Sequence, residues 1–292
     1  MVFNRLCIIG VGLIGGSIAR AARQQGLCKE VVAYGREKNL PNMQLARQLG
    51  VIDDFYTEIG AALEHADCVI VATPVGSMRA IFEQIKPYWN QNAIYSDAGS
   101  TKGSVIDAVQ AVFGSVPANF VPAHPIAGAE RSGVEASTAD LFVNRRLILT
   151  PLESTDKQAL EKISHFWERI GSTVSVMSVE HHDTVLAATS HLPHILAFAL
   201  VGLLGRKDEQ REIFKYAAGG FKDFSRIASS DPTMWQDICL ANKQEIIPLI
   251  QQFQAELSKI EQMLVDDQGE QLFETFTYAR NARQRFLDTL EA

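Results

Sequence analysis

Cysteine and positive charge are what this sequence has little of. Its four cysteines, Cys7, Cys28, Cys68 and Cys239, are scattered and form no Cys-x-x-Cys pair. They read as small buried hydrophobes in a reducing compartment, which sets aside a disulfide framework and a thiolate metal site. Lys plus Arg number 27 against 34 Asp plus Glu, a formal charge of −7. Nucleic-acid binding wants a basic face, so that class is excluded; anionic small molecules stay open, because local cations decide their binding. The start, Met1-Val2-Phe3-Asn4-Arg5, runs into a strand without the longer apolar core and cleavage site of a secretory signal. No apolar stretch is expected to approach the roughly 20 residues of a membrane span. The expectation is a soluble, cytoplasmic protein with no membrane and no nucleic-acid partner.

What is present is an ordinary enzyme composition, 292 residues of which 47% are hydrophobic and 21% charged. A chain of that length usually divides into two domains to bury its surface. Short apolar runs at Leu6–Ile9, Val31–Ala33, Cys68–Ala72, Ala93–Ser96, Asn119–Pro122, Leu147–Thr150 and Thr173–Met177 read as strands. Amphipathic segments lie between several of them, at Ser17–Gln25, Met43–Leu49, Met78–Ile85 and Lys157–Ile170. This alternation predicts an α/β, Rossmann-type doubly wound sheet over residues 1–178. From residue 179 to 292 the pattern is helical, at Asp183–Leu204, Glu209–Tyr216, Thr233–Gln254 and Gln271–Phe286, which predicts an all-α C-terminal domain. Ile246, Ile250, Phe253, Leu257, Ile260 and Leu264 form a stripe at steps of three and four. Either its own domain covers that stripe or a second subunit does; a homodimer through these helices is the favoured expectation.

Leu6–Ile9 runs into Gly10-Val11-Gly12-Leu13-Ile14-Gly15-Gly16 and then the helix opening Ser17-Ile18-Ala19. Gly-x-Gly-x-x-Gly alone is weak, but between a first strand and a first helix it is a dinucleotide signature. Gly10 permits the tight turn, Gly12 lets backbone approach a pyrophosphate, and Gly15 allows helix–strand packing. Leu13 and Ile14 belong to the same loop, and the helix that follows offers N–H groups and a partial positive charge to phosphate. Thr73 and Pro74, after the strand at Cys68–Ala72, complete the expected cofactor contacts. The second strand ends Val32-Ala33-Tyr34-Gly35-Arg36, and no carboxylate follows until Glu37. A guanidinium at Arg36 suits the 2′-phosphate of NADP, so the cofactor is NADP or NAD with a lean to NADP. Alternatively, Arg36 stacks on the adenine and either cofactor binds.

Three further segments stand out. They are Asp97-Ala98-Gly99-Ser100-Thr101-Lys102-Gly103; His124-Pro125-Ile126-Ala127-Gly128 with Glu130, Ser132 and Gly133; and a helical group. The helical group holds Ser190-His191-Leu192-Pro193-His194, the run from Gly219 through Arg226 to Ala228, and Asp231-Pro232 with Trp235. Together with the glycine loop, from the first strand to about Asn242, these resemble the prephenate/arogenate (cyclohexadienyl) dehydrogenase family. The resemblance implies NAD(P)-dependent oxidative decarboxylation of prephenate or arogenate, giving 4-hydroxyphenylpyruvate or tyrosine in tyrosine biosynthesis. It implies His124 as the catalytic histidine and Ser100 as a serine that hydrogen-bonds this site and helps orient the histidine and substrate. It implies Arg226 as the substrate-binding arginine, with His194 and Ser190 lining the pocket. Independently, a histidine can accept a hydroxyl proton near neutral pH, and a planar guanidinium can grip a carboxylate bidentately. Arg226 could instead pair with Asp223. Glu130 either shapes the pocket or accepts arogenate's ammonium; His191 reads as structural.

His191-x-x-His194 and His181-His182-Asp183 invite a metal reading, but neither offers a clear third and fourth ligand, so no metal is expected. No Gly-x-Ser-x-Gly elbow occurs, which sets aside a serine hydrolase. A Rossmann-plus-helical hydroxyacid dehydrogenase would share the loop but use a helical lysine, and a non-catalytic dinucleotide sensor would need no proton acceptor. Some members of the family carry a fused mutase or regulatory domain; with the chain running to Ala292, neither is expected here.

Overall fold

The computed structural model describes residues 1–129, 131–207 and 212–291. Strand β1 (Phe3–Ile9) explains why the sheet is covered on both sides. Leu6 and Ile8 join one hydrophobic cluster and Cys7 and Ile9 another, all fully buried, as period-two alternation demands. After β1 come α1 (Leu13–Gln24), β2 (Cys28–Tyr34), α2 (Leu40–Gln48), β3 (Asp54–Tyr56), α3 (Ile59–Leu63), β4 (Cys68–Val71) and α4 (Met78–Ile85). Then follow β5 (Ile94–Asp97), α5 (Gly103–Phe113) and β6 (Phe120–Val121). The six strands run parallel in the order β3-β2-β1-β4-β5-β6. The order reverses between β1 and β4, and at such a switch point α/β sheets bind ligands beyond the carboxyl ends of the strands. On one face Ile18, Ala19 and Ala22 of α1 meet the sheet; on the other Met78, Ile81, Phe82 and Ile85 of α4 do, at helical spacing.

The expected strand at Asn119–Pro122 stops at Val121. Proline has no N–H to give a ladder, and from Pro122 the chain leaves β5 for a second sheet. That sheet holds β7 (Ala123–Pro125) antiparallel to β8 (Arg146–Leu149), which runs parallel to β9 (Thr173–Val176). Between β8 and β9 lies α6 (Lys157–Arg169), whose Ile163, Phe166 and Trp167 are fully buried. His124 therefore stands inside β7 of a small mixed sheet, outside the six-stranded parallel sheet.

The helix expected from Asp183 begins earlier, as α7 (Val179–Leu186), capped by Ser178, whose hydroxyl accepts the His181 N–H. It passes through a π-helical turn at Ala187–His191 into α8 (Leu192–Lys207). Pro193 withdraws the N–H that α geometry would direct at Thr189, which accounts for the widened turn. Residues 179–207 form one helix of 29 residues that contains an 18-residue window of mean hydropathy 1.6, long and apolar enough to cross a membrane by length and composition. The expectation that no such segment exists is corrected. Its buried polar residues His182, Asp183 and His191 are bonded to protein groups, which ties this half of the helix to the site described below. Of the helix expected at Glu209–Tyr216, part lies outside the described residues, and Phe214–Tyr216 is a single 3-10 turn. Next come α9 (Gly219–Ser225) and α10 (Pro232–Ala241), the latter capped by the Asp231 carboxylate accepting the Thr233 and Met234 N–H groups.

Contacts divide the chain into Met1–Lys243 and Gln244–Ala292. The second unit consists of most of α11 (Lys243–Val265), with α12 (Gly269–Glu291). Thr275 of α12 reaches Met263 Sδ of α11 at 3.9 Å. Leu257, Leu264, Phe273, Phe276 and Tyr278 are each more than half exposed there.

Candidate active site

The glycine loop sits at the switch point. Gly10 has φ +94°, and a Cβ there would come within 2.9 Å of the Ala72 carbonyl oxygen and of Thr73 Cγ2. A Cβ on Gly15 would lie 2.1 Å from the Gly10 carbonyl oxygen and 2.9 Å from Ile8 Cγ2, so only glycine lets α1 lie this close to β1. A Cβ on Gly12 would meet nothing within 4 Å; the backbone there opens on free space. No side chain caps the N-terminus of α1, and its first turn holds no acidic residue. Leu13 and Ile14, half-buried, form that turn. Opposite, after β4, Thr73 Oγ1 is buried with no hydrogen-bond partner among the described residues, and Pro74 is exposed beside it. An open glycine face, an uncapped helix N-terminus and an orphan hydroxyl are a donor set that fits a pyrophosphate. Arg36 is exposed directly after β2. The next residue, Glu37, lines a cleft of about 400 Å³ together with Tyr56 and Glu58.

From this loop the carboxyl edge of the sheet leads to His124. The Ala72 N–H donates to the Ile9 carbonyl at 2.8 Å and the Ala98 N–H to the Val71 carbonyl at 2.9 Å. Asp97, at the end of β5, accepts the Gly99 N–H at 2.8 Å and the Ala123 N–H at 3.1 Å. Lys102, fully buried, donates from Nζ to Asp97 Oδ2 and to the Ala123 carbonyl at 2.8 Å. Burial pulls the Lys102 ammonium below its ordinary value while Asp97 opposes that shift. This ion pair clamps β7 against the end of β5, immediately before His124.

His124 is buried, and its Nδ1 lies 2.9 Å from His182 Nε2. His182 Nδ1–H donates to Asp183 Oδ1 at 2.7 Å. The Asp183 carboxylate also accepts the N–H groups of Lys102 and Gly103, each at 2.8 Å, capping α5 from another element. Asn242 Nδ2 donates to the Asp183 carbonyl at 2.9 Å and lies 3.1 Å from His191 Nδ1. Burial, then His182, Lys102 and His191, hold the His124 imidazole well below the ordinary histidine value. Burial also lowers His182, and lowers His191 to about 4. Burial opposes ionisation of Asp183, but hydrogen bonds from His182, Lys102 and Gly103 outweigh it and hold the carboxyl below its ordinary value. The site therefore holds neutral imidazoles against a fixed carboxylate. No described residue hydrogen-bonds His124 Nε2, which leaves its hydrogen-bonding capacity unused among them.

Arg226 opens a 3-10 turn, Arg226–Ser229, after α9 and is exposed. It lines an open cleft of about 510 Å³ with Arg131, Ala129 and Ala136. Its charge helps lower the half-buried His194, after the larger effect of burial. His194 stacks on Trp235 at 3.8 Å and 22°, and its Nδ1–H donates to the Ser190 carbonyl in the π turn at 2.8 Å. The buried Trp235 Nε1 has no partner among the described residues. Among the expected residues, Ser100 is half-buried in the loop between β5 and α5. No hydrogen bond among the described residues joins it to His124, whose partner is His182. Glu130 lies outside the described residues.

Sequence reasoning missed the Asp97–Lys102 clamp and placed His182 and Asp183 only in a metal motif. Their partners lie in other segments, and Asp97-x-x-x-x-Lys102 carries no recognisable spacing. Among the described residues no three His, Cys, Asp or Glu side chains gather as a metal site.

Fold and site define a dinucleotide-dependent dehydrogenase with a buried imidazole beside the carboxyl edge of its sheet. Residues 18–176 match the family described as prephenate dehydrogenase, nucleotide-binding domain, and residues 178–278 its dimerization domain. The first match begins beyond the glycine loop, so the loop rests on its own geometry. A cyclohexadienyl dehydrogenase of Zymomonas mobilis subsp. mobilis is 38% identical over 97% of this chain and 96% of its own. A prephenate dehydrogenase of Bacillus subtilis is 37% identical over 96% of this chain and 75% of its own. Prephenate dehydrogenase from A. aeolicus, solved with hydroxyphenyl propionate and NAD+, superposes with TM-score 0.89 at 36% identity, covering 97% and 98% of the two chains. The chain belongs to the prephenate dehydrogenase family.

Proposed function

We propose that this protein oxidatively decarboxylates prephenate, arogenate or both, with NAD(P)+ as hydride acceptor. The observation that carries the reading is His124, a neutral buried imidazole whose Nε2 has no hydrogen-bond partner among the described residues, clamped beside the carboxyl edge of the dinucleotide sheet. His124 accepts the ring hydroxyl proton as the C–O bond becomes a carbonyl. Gly10, Gly12 and Gly15 with Leu13, Ile14, Thr73 and Pro74 would hold the dinucleotide, which would supply the acceptor for the hydride leaving the same carbon. The ring carboxylate leaves as CO2, its bonding pair enters the ring, and aromatisation drives the step. Arg226 supplies the cation that a dianionic substrate needs in a protein of net charge −7. His194 and Ser190 line the pocket in this reading, and Ser100, in the loop after β5, offers a hydroxyl to the substrate.

NADP is the preferred cofactor in this reading, because Arg36 is exposed where the 2′-phosphate would fall. The carboxylates of Glu37 and Glu58 lining the adjoining cleft favour NAD instead, since they would accept ribose hydroxyls. The helical region from residue 179 forms a homodimer interface of a cytoplasmic enzyme, supported by the exposed apolar residues of α11 and α12 and by the family description. Light scattering after size exclusion should report a dimer, and a clean monomer removes that part of the reading. The function itself is tested by a steady-state matrix of prephenate and arogenate against NAD+ and NADP+. Reduced dinucleotide should form together with CO2 in at least one combination; none in all four sinks the proposal.

A further inference from the structure

The hydrogen bonds around Asp183 have only one consistent direction. Both its oxygens accept backbone N–H groups, from Lys102 and Gly103, and a backbone N–H can only donate. Those bonds hold the carboxyl below its ordinary value, so it stands as a carboxylate and the third contact is an N–H given by His182 Nδ1. A neutral His182 protonated at Nδ1 carries its lone pair at Nε2. His124 Nδ1, 2.9 Å away, must then be the donor of the next bond. A neutral His124 protonated at Nδ1 has its remaining lone pair at Nε2, the nitrogen no described residue occupies.

Resting on the reading of His124 as the base, we propose that Asp183 and His182 are positioning residues that lock His124 in the Nδ1–H tautomer, so that Nε2 always presents a lone pair to the substrate hydroxyl. The hydroxyl O–H breaks, a bond forms to Nε2, and the resulting imidazolium keeps its Nδ1–H donated to His182. The positive charge then sits one imidazole away from the Asp183 carboxylate. Sequence placed the orienting role on Ser100; the geometry places it on two residues of α7. Asn242 and the N-terminus of α5 keep Asp183 in place. The charged and titratable groups facing His124 are Asp97 and Lys102 from the β5–α5 segment, His182 and Asp183 from α7, and His191 from the π turn. Neutral imidazoles throughout this group, the state that burial favours, are what the one-way chain requires.

The test compares Asp183→Asn, His182→Leu and His182→Gln with His124→Asn, in the holoenzyme, using the better substrate of the matrix. Asp183→Asn and His182→Leu should each lower kcat about 10²-fold or more. The loss should persist on the high-pH plateau, because a wrong tautomer is not titrated away. His182→Gln, whose amide oxygen can accept the Nδ1–H, should recover at least tenfold over His182→Leu. Nitrogen NMR of ring-labelled wild-type enzyme should show His124 protonated at Nδ1 and bare at Nε2, a readout that holds even where a variant does not fold. Finding Nε2 protonated in the wild type overturns the proposal. So does wild-type kcat in His182→Leu while His124→Asn is inactive. An active His124→Asn would instead remove the reading of His124 as base, so the two failures are distinguishable.

Discussion

The glycine loop and the histidine cluster solve opposite problems with opposite materials. In the proposed reading the loop would hold a dinucleotide with backbone, so what matters is what its residues lack: Gly12 leaves space, and Gly15 leaves room for a helix to touch a strand. The cluster works with side chains drawn from three segments, the β5–α5 loop, β7 and α7, each tied to the others by buried hydrogen bonds. A backbone site is written in consecutive residues, whereas a side-chain site exists only after folding. The loop should therefore fail through added atoms and the cluster through removed ones.

The largest effect should come from adding one methyl group to the loop. Gly15→Ala puts a carbon 2.1 Å from the Gly10 carbonyl oxygen, so the loop must move. Titration calorimetry should find dinucleotide binding lost, with retained affinity showing that the helix can retreat. On the other side, Arg226→Ala should raise KM by the equivalent of about 2–4 kcal/mol with a smaller change in kcat. An unaltered KM with lowered stability would make Arg226 a structural residue.

Acid should separate the regions more gently. His124, His182, His191 and His194 are all lowered by folding, His191 to about 4. Below the unfolded histidine value of about 6.5 the unfolded chain binds the extra protons, so stability is lost as pH falls. Each such histidine contributes a slope of up to about 1.4 kcal/mol per pH unit, and the slope from His191 ends near pH 4. Denaturant melts from pH 7 to pH 5 should show falling stability that His191→Asn makes shallower; a flat profile contradicts the buried neutral cluster. The smallest effect concerns the rim of the loop. Arg36→Gln should lower the preference for NADP over NAD about tenfold, read as a ratio of kcat/KM values, and an unchanged ratio means Arg36 does not meet the 2′-phosphate.

The same contrast governs what was legible in the sequence. Short apolar runs such as Leu6–Ile9, alternating with amphipathic segments such as Met78–Ile85, announced the parallel sheet and its cover. The glycine loop was readable because its chemistry is local. The departure of the chain at Pro122 into a second sheet was not, because a short strand followed by a proline looks the same whether it ends or changes partner. The π turn was hidden because Pro193 in an apolar run signals only a disturbance, not its form. His182 and Asp183 were visible as residues but misfiled, since their partners His124 and Gly103 lie 58 and 80 positions away.

The division of labour between the two regions comes down to His124. The direct measurement is kcat of His124→Asn beside its dinucleotide Kd. The account predicts a fall in kcat of about 10²- to 10⁴-fold, roughly 3–5 kcal/mol of barrier, with Kd unchanged. An unchanged kcat, or a loss of dinucleotide affinity that explains the whole defect, would contradict it.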